Sequence, residues 1–230
     1  MRKDLTKNMK LINFKSELPK TSLAPNYDYY ILENNISNKV NTYEVLAHME
    51  NRYNHLLNTL DNEADKQEDV IRYTIFNKEI FEKEYTINLI DNIRENIHFY
   101  CEHLRLIKPD RMWLQLWCNF ISKGNNIDIH QHEWNACSFL SGNLCLKTKN
   151  TSTHYLNPQR YFNKFNEVYN SENEIGKLTI FPSTIPHFTD EVITDEMRVT
   201  IAFDVLTEQD PKLYLHKRKH KLFENNVVEI

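Results

Sequence analysis

The sequence predicts an α+β fold in which N-terminal helices pack on a sheet-rich sandwich or jelly roll. Three observations predict it. Apolar residues recur at three- and four-residue steps in two stretches of the first half. From Arg111 onward the apolar period changes to two. Short alternating stretches then follow one another, separated by Asn, Gly, Pro and Ser turns, as in a double-layered β-domain.

Taken along the chain, an early strand is expected near Tyr29 to Leu32. From Asn41 to Leu60, residues Val45, Met49, Tyr53, Leu56, Leu57 and Leu60 fall on one helical face, with Asn41 or Thr42 as cap. Asp61 to Asp69 is a polar connector, and the β-branched and aromatic run Val70 to Phe76 reads as a strand. A second helix is predicted from Thr86 to Leu106, through Leu89, Ile93, Ile97, Tyr100, Cys101 and Leu104, and Lys108-Pro109-Asp110 ends it. Met112 to Phe120 alternates Leu114, Leu116, Cys118 and Phe120 against Trp113, Gln115, Trp117 and Asn119, so the strand has two different faces. Further strands are expected at Asp128 to Gln131, Cys137 to Leu146, Lys177 to Phe181 and Val199 to Leu206. The Asn- and Tyr-rich stretch Thr148 to Asn173 reads as a loop inserted over the barrel. Residues 1–110 form a helical and strand extension supporting the barrel, 111–207 the jelly-roll core and 208–230 a C-terminal tail, in one compact domain.

Composition narrows the function classes. The 230 residues are 40% apolar and 26% charged, the balance of a globular domain, and no stretch approaches the ~20 apolar residues that span a bilayer. The start, MRKDLTKNMKLINF, has no apolar segment of a secretory signal, so a cytoplasmic location is expected, the host cytoplasm if the chain is phage-encoded. Only Gly124, Gly142 and Gly176 are glycines, which excludes glycine-rich phosphate loops. Cys101, Cys118, Cys137 and Cys145 form no CxxC pair and read as reduced core residues. A net charge of −4 gives no general drive toward nucleic acid, and the basic run His216 to Lys221 reads as a solvated tail.

Chemistry is concentrated in three places. Ile129-His130-Gln131-His132 sets two imidazoles on one side of a strand, a pair that can chelate. His187 follows an apolar strand and the turn Pro182-Ser183-Thr184-Ile185-Pro186, so two strands could present one metal site. Imidazole suits iron, zinc, copper and nickel. In Arg198-Val199-Thr200-Ile201-Ala202-Phe203, alternation points Arg198 and Thr200 to one face. A guanidinium on an inward face needs an anion, and with a hydroxyl beside it suits the distal carboxylate of a small diacid.

The succession HxH, GKLTIFPSTIPH and RVTIAF resembles the metal-to-cosubstrate pattern of the 2-oxoglutarate and iron(II)-dependent oxygenase superfamily. More narrowly, MWLQLWCNFISKGNNIDIHQHEWNACSFLSGNLCL is similar to the sequence-predicted oxygenases of marine tailed bacteriophages and some bacteria, over roughly Met112 to Leu206. The resemblance implies a cupin-like double-stranded β-helix with iron(II) held by the HxH motif and His187, while Arg198 and Thr200 secure 2-oxoglutarate. Such an enzyme couples oxidative decarboxylation of 2-oxoglutarate, to succinate and carbon dioxide, to hydroxylation of a substrate by O2. Prolyl or other protein side chains and small metabolites all suit an open jelly-roll mouth.

The chain departs from that pattern at His132, where most of the superfamily has Asp or Glu. His132 as a third ligand, Glu133 turned inward by a bulge, or water would each complete the shell, and strand alternation favours His132. A three-histidine site also resembles cupin metal centres, and zinc hydrolysis is chemically open to it. Asn119 and Tyr155 are further candidates for holding cosubstrate, Ser141-Gly142 for letting the backbone pass close to the site, and Trp113 and Trp117 for core or pocket wall. Two other classes compete with the oxygenase: a cupin-type metal protein with other chemistry, and a non-catalytic interaction protein on a jelly roll. Whether the chain works alone or as a homodimer, sequence leaves open.

Overall fold

The computed structural model describes residues 9–16, 21, 23, 27–59, 68–132, 138–157, 168–207 and 226–230. Among the described residues ten strands in two antiparallel sheets dominate, with four helices. The larger sheet has the order β1-β2-β7-β4-β9-β3-β10. Its strands are β1 (Lys10–Lys15), β2 (Asp28–Asn35), β3 (Met112–Ile121), β4 (Ser138–Lys147), β7 (Lys177–Pro182), β9 (Arg198–Thr207) and β10 (Val227–Glu229). The smaller sheet, β6-β5-β8, comprises β5 (Ser152–Leu156), β6 (Val168–Glu172) and β8 (His187–Thr189).

The helices α1 (Thr42–Thr59), α2 (Glu68–Thr74), α3 (Lys78–Phe81) and α4 (Glu84–His103) come before the central strands in sequence. Asn41 caps α1, its side-chain oxygen accepting from Glu44 N at 3.3 Å. Helix α4 stops where Arg105 takes a φ of 54°, which lets Leu106 N reach back to Cys101 O at 2.9 Å. Buried Val45, Met49, Leu89, Ile93 and Ile97 from these helices join Leu114, Leu116, Val199, Ile201 and Phe203 from the sheet in one apolar core. A second cluster, Phe14, Ile31 and Phe181 of the large sheet with Tyr155 of the small one, ties the sheets together. Among the described residues no helix is long and apolar enough to cross a membrane.

Three expectations are corrected. The run Val70 to Phe76 is not a strand, since α2 extends to Thr74. Ile71 and Ile75, four residues apart, are both buried in the core, and that packing outweighs the weak β preference of the residue types. The stretch Thr148 to Asn173 is not merely a loop, because β5 and β6 pair within it, with buried Thr153 and Tyr155 alternating with half-buried Ser152 and His154. Residues 158–167 lie outside the described residues. Asp128 to Gln131 forms no strand either, only a single bridge from His130 to His187. Cys101, Cys118 and Cys145 are buried free thiols, whereas Cys137 and the basic run His216 to Lys221 fall outside the described residues.

Candidate active site

Strand β7 ends at Pro182, and the following turn delivers His187 to β8. There His187 and His130 exchange both backbone hydrogen bonds, each at 3.0 Å. Two further bonds extend this pairing. His132 N donates to Ser183 O at 3.0 Å, and the Gln131 side-chain amide donates to Thr184 O at 2.8 Å. Residues 130–132 therefore lie alongside 183–187, and three rings converge. Ring centroids are 4.2 Å apart for His130 and His187, 5.1 Å for His130 and His132, and 5.0 Å for His132 and His187. One nitrogen from each ring can be chosen so that all lie within 4.8 Å of one another.

The hydrogen bonds around the rings settle which nitrogens face inward. His130 Nδ1 lies 2.8 Å from Asp128 O, His187 Nδ1 lies 3.0 Å from Ile185 O, and His132 Nδ1 lies 2.6 Å from Asp204 Oδ1. All three partners are acceptors, so each Nδ1 carries a hydrogen, and in a neutral ring so held Nε2 offers the lone pair. His132 Nε2 is buried without a hydrogen-bond partner among the described residues. An unpartnered buried polar atom costs about 1–3 kcal/mol, a cost that a metal ion would remove. Burial holds His187 well below the ordinary histidine range, with the neighbouring imidazoles adding to the shift. Burial also lowers His130. Both rings are thus neutral at pH 7, the form that ligates metal, and the donor set fits a divalent transition ion.

The same rings share a cavity of about 470 Å³ with Asn119, Arg198 and Thr200. Arg198 is only 3% exposed. One of its terminal nitrogens donates to Thr153 Oγ1 at 3.0 Å, while Nε and the other terminal nitrogen are buried without a partner among the described residues. Asn119 sits opposite Thr200 on the neighbouring strand and donates to its hydroxyl at 3.4 Å, leaving its own Oδ1 unpartnered. The cavity wall thus has a buried cation with two open donors and a polar pair beside it, which is the chemistry of a carboxylate receptor.

Of the residues anticipated from sequence, His130, His132, His187, Arg198, Thr200 and Asn119 all come together on this cavity. Glu133 lies outside the described residues. Tyr155 is placed differently: fully buried, it stacks behind His187 at 5.8 Å and meets Phe181 edge-on at 4.9 Å, with its hydroxyl 3.2 Å from Asn143 Nδ2. It supports the histidine and is not part of the cavity wall among the described residues. Trp117 is wall, stacked between Tyr73 and His132 at 5.4 and 5.7 Å, whereas Trp113 lies under the Arg111 guanidinium. At Gly142 the close approach is to core atoms: a Cβ there would overlap the Phe203 ring and the Thr179 carbonyl.

Asp204 was not anticipated. It lies on β9 at the same two-residue step as Arg198, Thr200 and Ala202, and accepts from both His132 Nδ1 and Ser141 Oγ at 2.6 Å. Following the alternation of β9 to its end would have found it.

Residues 115–204 match the family model described as "Putative 2OG-Fe(II) oxygenase". That description implies iron(II) and 2-oxoglutarate as cofactors, and the three imidazoles and the Arg198 receptor stand within the matched segment. No curated protein matches the chain. Among solved structures, a non-haem monooxygenase, ThoJ, in complex with nickel is 12% identical, with a TM-score of 0.49 over 72% of this chain and 68% of that one. A Pseudomonas putida prolyl-4-hydroxylase is 14% identical, with a TM-score of 0.47 over 73% and 81%. A 2OG-Fe(II) family oxidoreductase from Burkholderia pseudomallei is 13% identical, with a TM-score of 0.43 over 54% and 57%. None of the three is close enough for what it acts on to transfer to this chain.

Proposed function

We propose that the chain is an iron(II)- and 2-oxoglutarate-dependent dioxygenase that hydroxylates an organic substrate. In this reading the two sheets are the walls of a double-stranded β-helix, or jelly roll. Residues 111–207 form its catalytic core, and the N-terminal segment extends the sheet through β1 and β2 and covers it with helices. His130, His132 and His187 hold the iron through Nε2, while Arg198 and Thr200 hold the far carboxylate of 2-oxoglutarate, with Asn119 ordering Thr200. The observation that carries the reading is that Arg198, buried and with two nitrogens unpartnered, shares one cavity with three inward-facing imidazoles.

Bound iron with 2-oxoglutarate would supply oxidation of a C–H bond by O2, with succinate and carbon dioxide as coproducts. The chain's own groups do the rest. Arg198 fixes the cosubstrate at its charged end, so that its other end is directed and not merely tethered. The hydrogen bonds to the three Nδ1 atoms hold the imidazoles in the ligating tautomer. Trp117 and Phe181 give the wall an apolar lining that excludes water. A prolyl or other protein side chain, or a small metabolite, would be presented beside Trp117, Tyr73 and Gln115.

The test is an anaerobic titration of the protein with iron(II) and 2-oxoglutarate, read by the weak visible charge-transfer band of a chelated 2-oxo acid. The band is expected in the native protein and its loss in Arg198→Leu. Iron uptake without a band at millimolar 2-oxoglutarate would overturn the cosubstrate assignment. It would favour a second reading, a cupin-type metal protein with other chemistry, which one observation supports: among the described residues no carboxylate joins the three imidazoles as a candidate ligand.

A further inference from the structure

Among the described residues the metal group has no carboxylate, yet a carboxylate sits directly behind it. Asp204 Oδ1 lies 2.6 Å from His132 Nδ1 and 2.6 Å from Ser141 Oγ, and Ser141 Oγ is 2.9 Å from Ser183 Oγ. All four residues are buried. A carboxylate can only accept, so both neighbours donate to it, and the ring of His132 is left with its Nε2 turned to the cavity, where no hydrogen bond from the described residues meets it. Imidazoles ligate through a bare nitrogen and so bring no charge to a dication. Asp204 is the negative group placed one hydrogen bond away from them, on the strand that also carries Arg198 and Thr200.

We propose that Asp204 is a positioning residue for the metal centre: it locks His132 in the Nδ1–H tautomer and supplies, from behind the ligand, the negative charge that an inner carboxylate would otherwise supply. The arrangement increases the basicity of His132 as a ligand, because a charge-assisted hydrogen bond at Nδ1 pushes electron density toward Nε2. It also links β9 to the segment bearing His130 and His132, so that the metal ligands and the Arg198 receptor are registered to one another. Ser141, from β4, donates a second hydrogen bond to the same Asp204 oxygen, which does not depend on His132.

The inference rests on the metal-centre reading, and cobalt(II) binding separates the failure of one from the failure of the other. Cobalt(II) is titrated into native protein, Asp204→Asn and Ser141→Ala, with affinity taken from chelator competition and geometry from the visible d–d bands. In the metal-free proteins a long-range ¹H–¹⁵N correlation spectrum reports the His132 tautomer. Asp204→Asn is expected to bind cobalt(II) about 10–100-fold more weakly with altered d–d bands, and to show His132 as a tautomer mixture, where the native ring is Nδ1–H. Ser141→Ala, which keeps the His132–Asp204 bond, is expected to stay near native in all three readouts. Native-like cobalt(II) affinity in Asp204→Asn overturns this inference and leaves the metal centre standing. Equal losses in Asp204→Asn and Ser141→Ala also overturn it, since the effect would then be one of tying strands together. If Asp204→Asn does not fold, the native spectrum decides: an Nε2–H ring at His132 overturns the proposal and an Nδ1–H ring supports it. No cobalt(II) uptake by the native protein removes the metal centre and this inference with it.

Discussion

Strands β3 and β9 pair along their whole lengths, and every residue from Met112 to Ile121 and from Arg198 to Leu206 is buried, yet their two faces do different work. Leu114, Leu116, Cys118 and Phe120 with Val199, Ile201, Phe203 and Val205 make a dry face packed against the helices. Gln115, Trp117 and Asn119 with Arg198, Thr200 and Asp204 make the cavity face, half a pleat away. On the dry face burial is complete in itself. On the cavity face Gln115 Nε2, Asn119 Oδ1 and two Arg198 nitrogens are buried with no hydrogen-bond partner among the described residues. Burial that leaves polar groups unpartnered costs stability, so the dry face offsets what the cavity face holds ready for a ligand.

The largest expected effect falls on the dry face. Phe203→Ala removes a fully buried ring that lies over Gly142 and should destabilise the fold by about 4 kcal/mol in urea denaturation. Cobalt(II) binding by the fraction that remains folded should be retained. The cavity face should respond in the opposite sense. Arg198→Leu is expected to weaken 2-oxoglutarate binding to the iron(II) protein about 100-fold, with iron affinity little changed. Without ligand its melting temperature should hold or rise, because a buried cation with two open donors has gone. A ligand-free loss comparable to that of Phe203→Ala would mean that the two faces share one structural role, and the comparison would fail.

This division was largely legible in sequence, since a period of two separates Leu114, Leu116 and Cys118 from Gln115, Trp117 and Asn119 without any tertiary information. So were both long helices, whose apolar steps are sustained over several turns. The short α2 was not: Ile71 and Ile75 are buried by contacts from distant parts of the chain, and their local run of β-branched and aromatic residues points the other way. His130 and His132 were legible as a pair, although the strand expected to carry them is only one bridge to His187. The role of the hydrogen bonds to Asp128 O, Ile185 O and Asp204 was not legible, because two are accepted by backbone carbonyls and the third by a residue far along the chain. Tyr155 was misplaced by one layer for a related reason. Alternation gives the side of a strand, not how deep a ring lies beneath another.

A smaller, graded effect should appear with pH in the metal-free protein. Burial lowers the folded-state pKa of His187, and of His130, below the value near 6.5 that each has in the unfolded chain. Between those values the unfolded state binds more protons, so stability is fully present above about pH 6.5 and is lost as pH falls below it. Thermal melts should therefore be flat on the alkaline side and decline on the acid side. His187→Phe should flatten the decline, since one of the two responsible rings is gone, while the dry face contributes nothing to it. An unchanged slope in that variant would mean that the acid sensitivity arises outside the cavity.

The smallest expected effect tests where the site ends. Tyr155 stands behind His187, with its hydroxyl against Asn143 and its ring against Phe181. Tyr155→Phe keeps the ring and its packing but deletes the hydroxyl's buried hydrogen bonds with Asn143 and Thr179, which should cost about 1–2 kcal/mol in urea denaturation. If the cavity wall is the boundary of the site, iron(II) and 2-oxoglutarate affinities should be those of the native protein, because the ring that braces His187 is intact and the lost hydroxyl touches neither ligand's receptor. A fall in 2-oxoglutarate affinity with the fold otherwise unharmed would move Tyr155 into the receptor beside Arg198. The line between binding face and supporting layer would then have to be drawn one residue deeper.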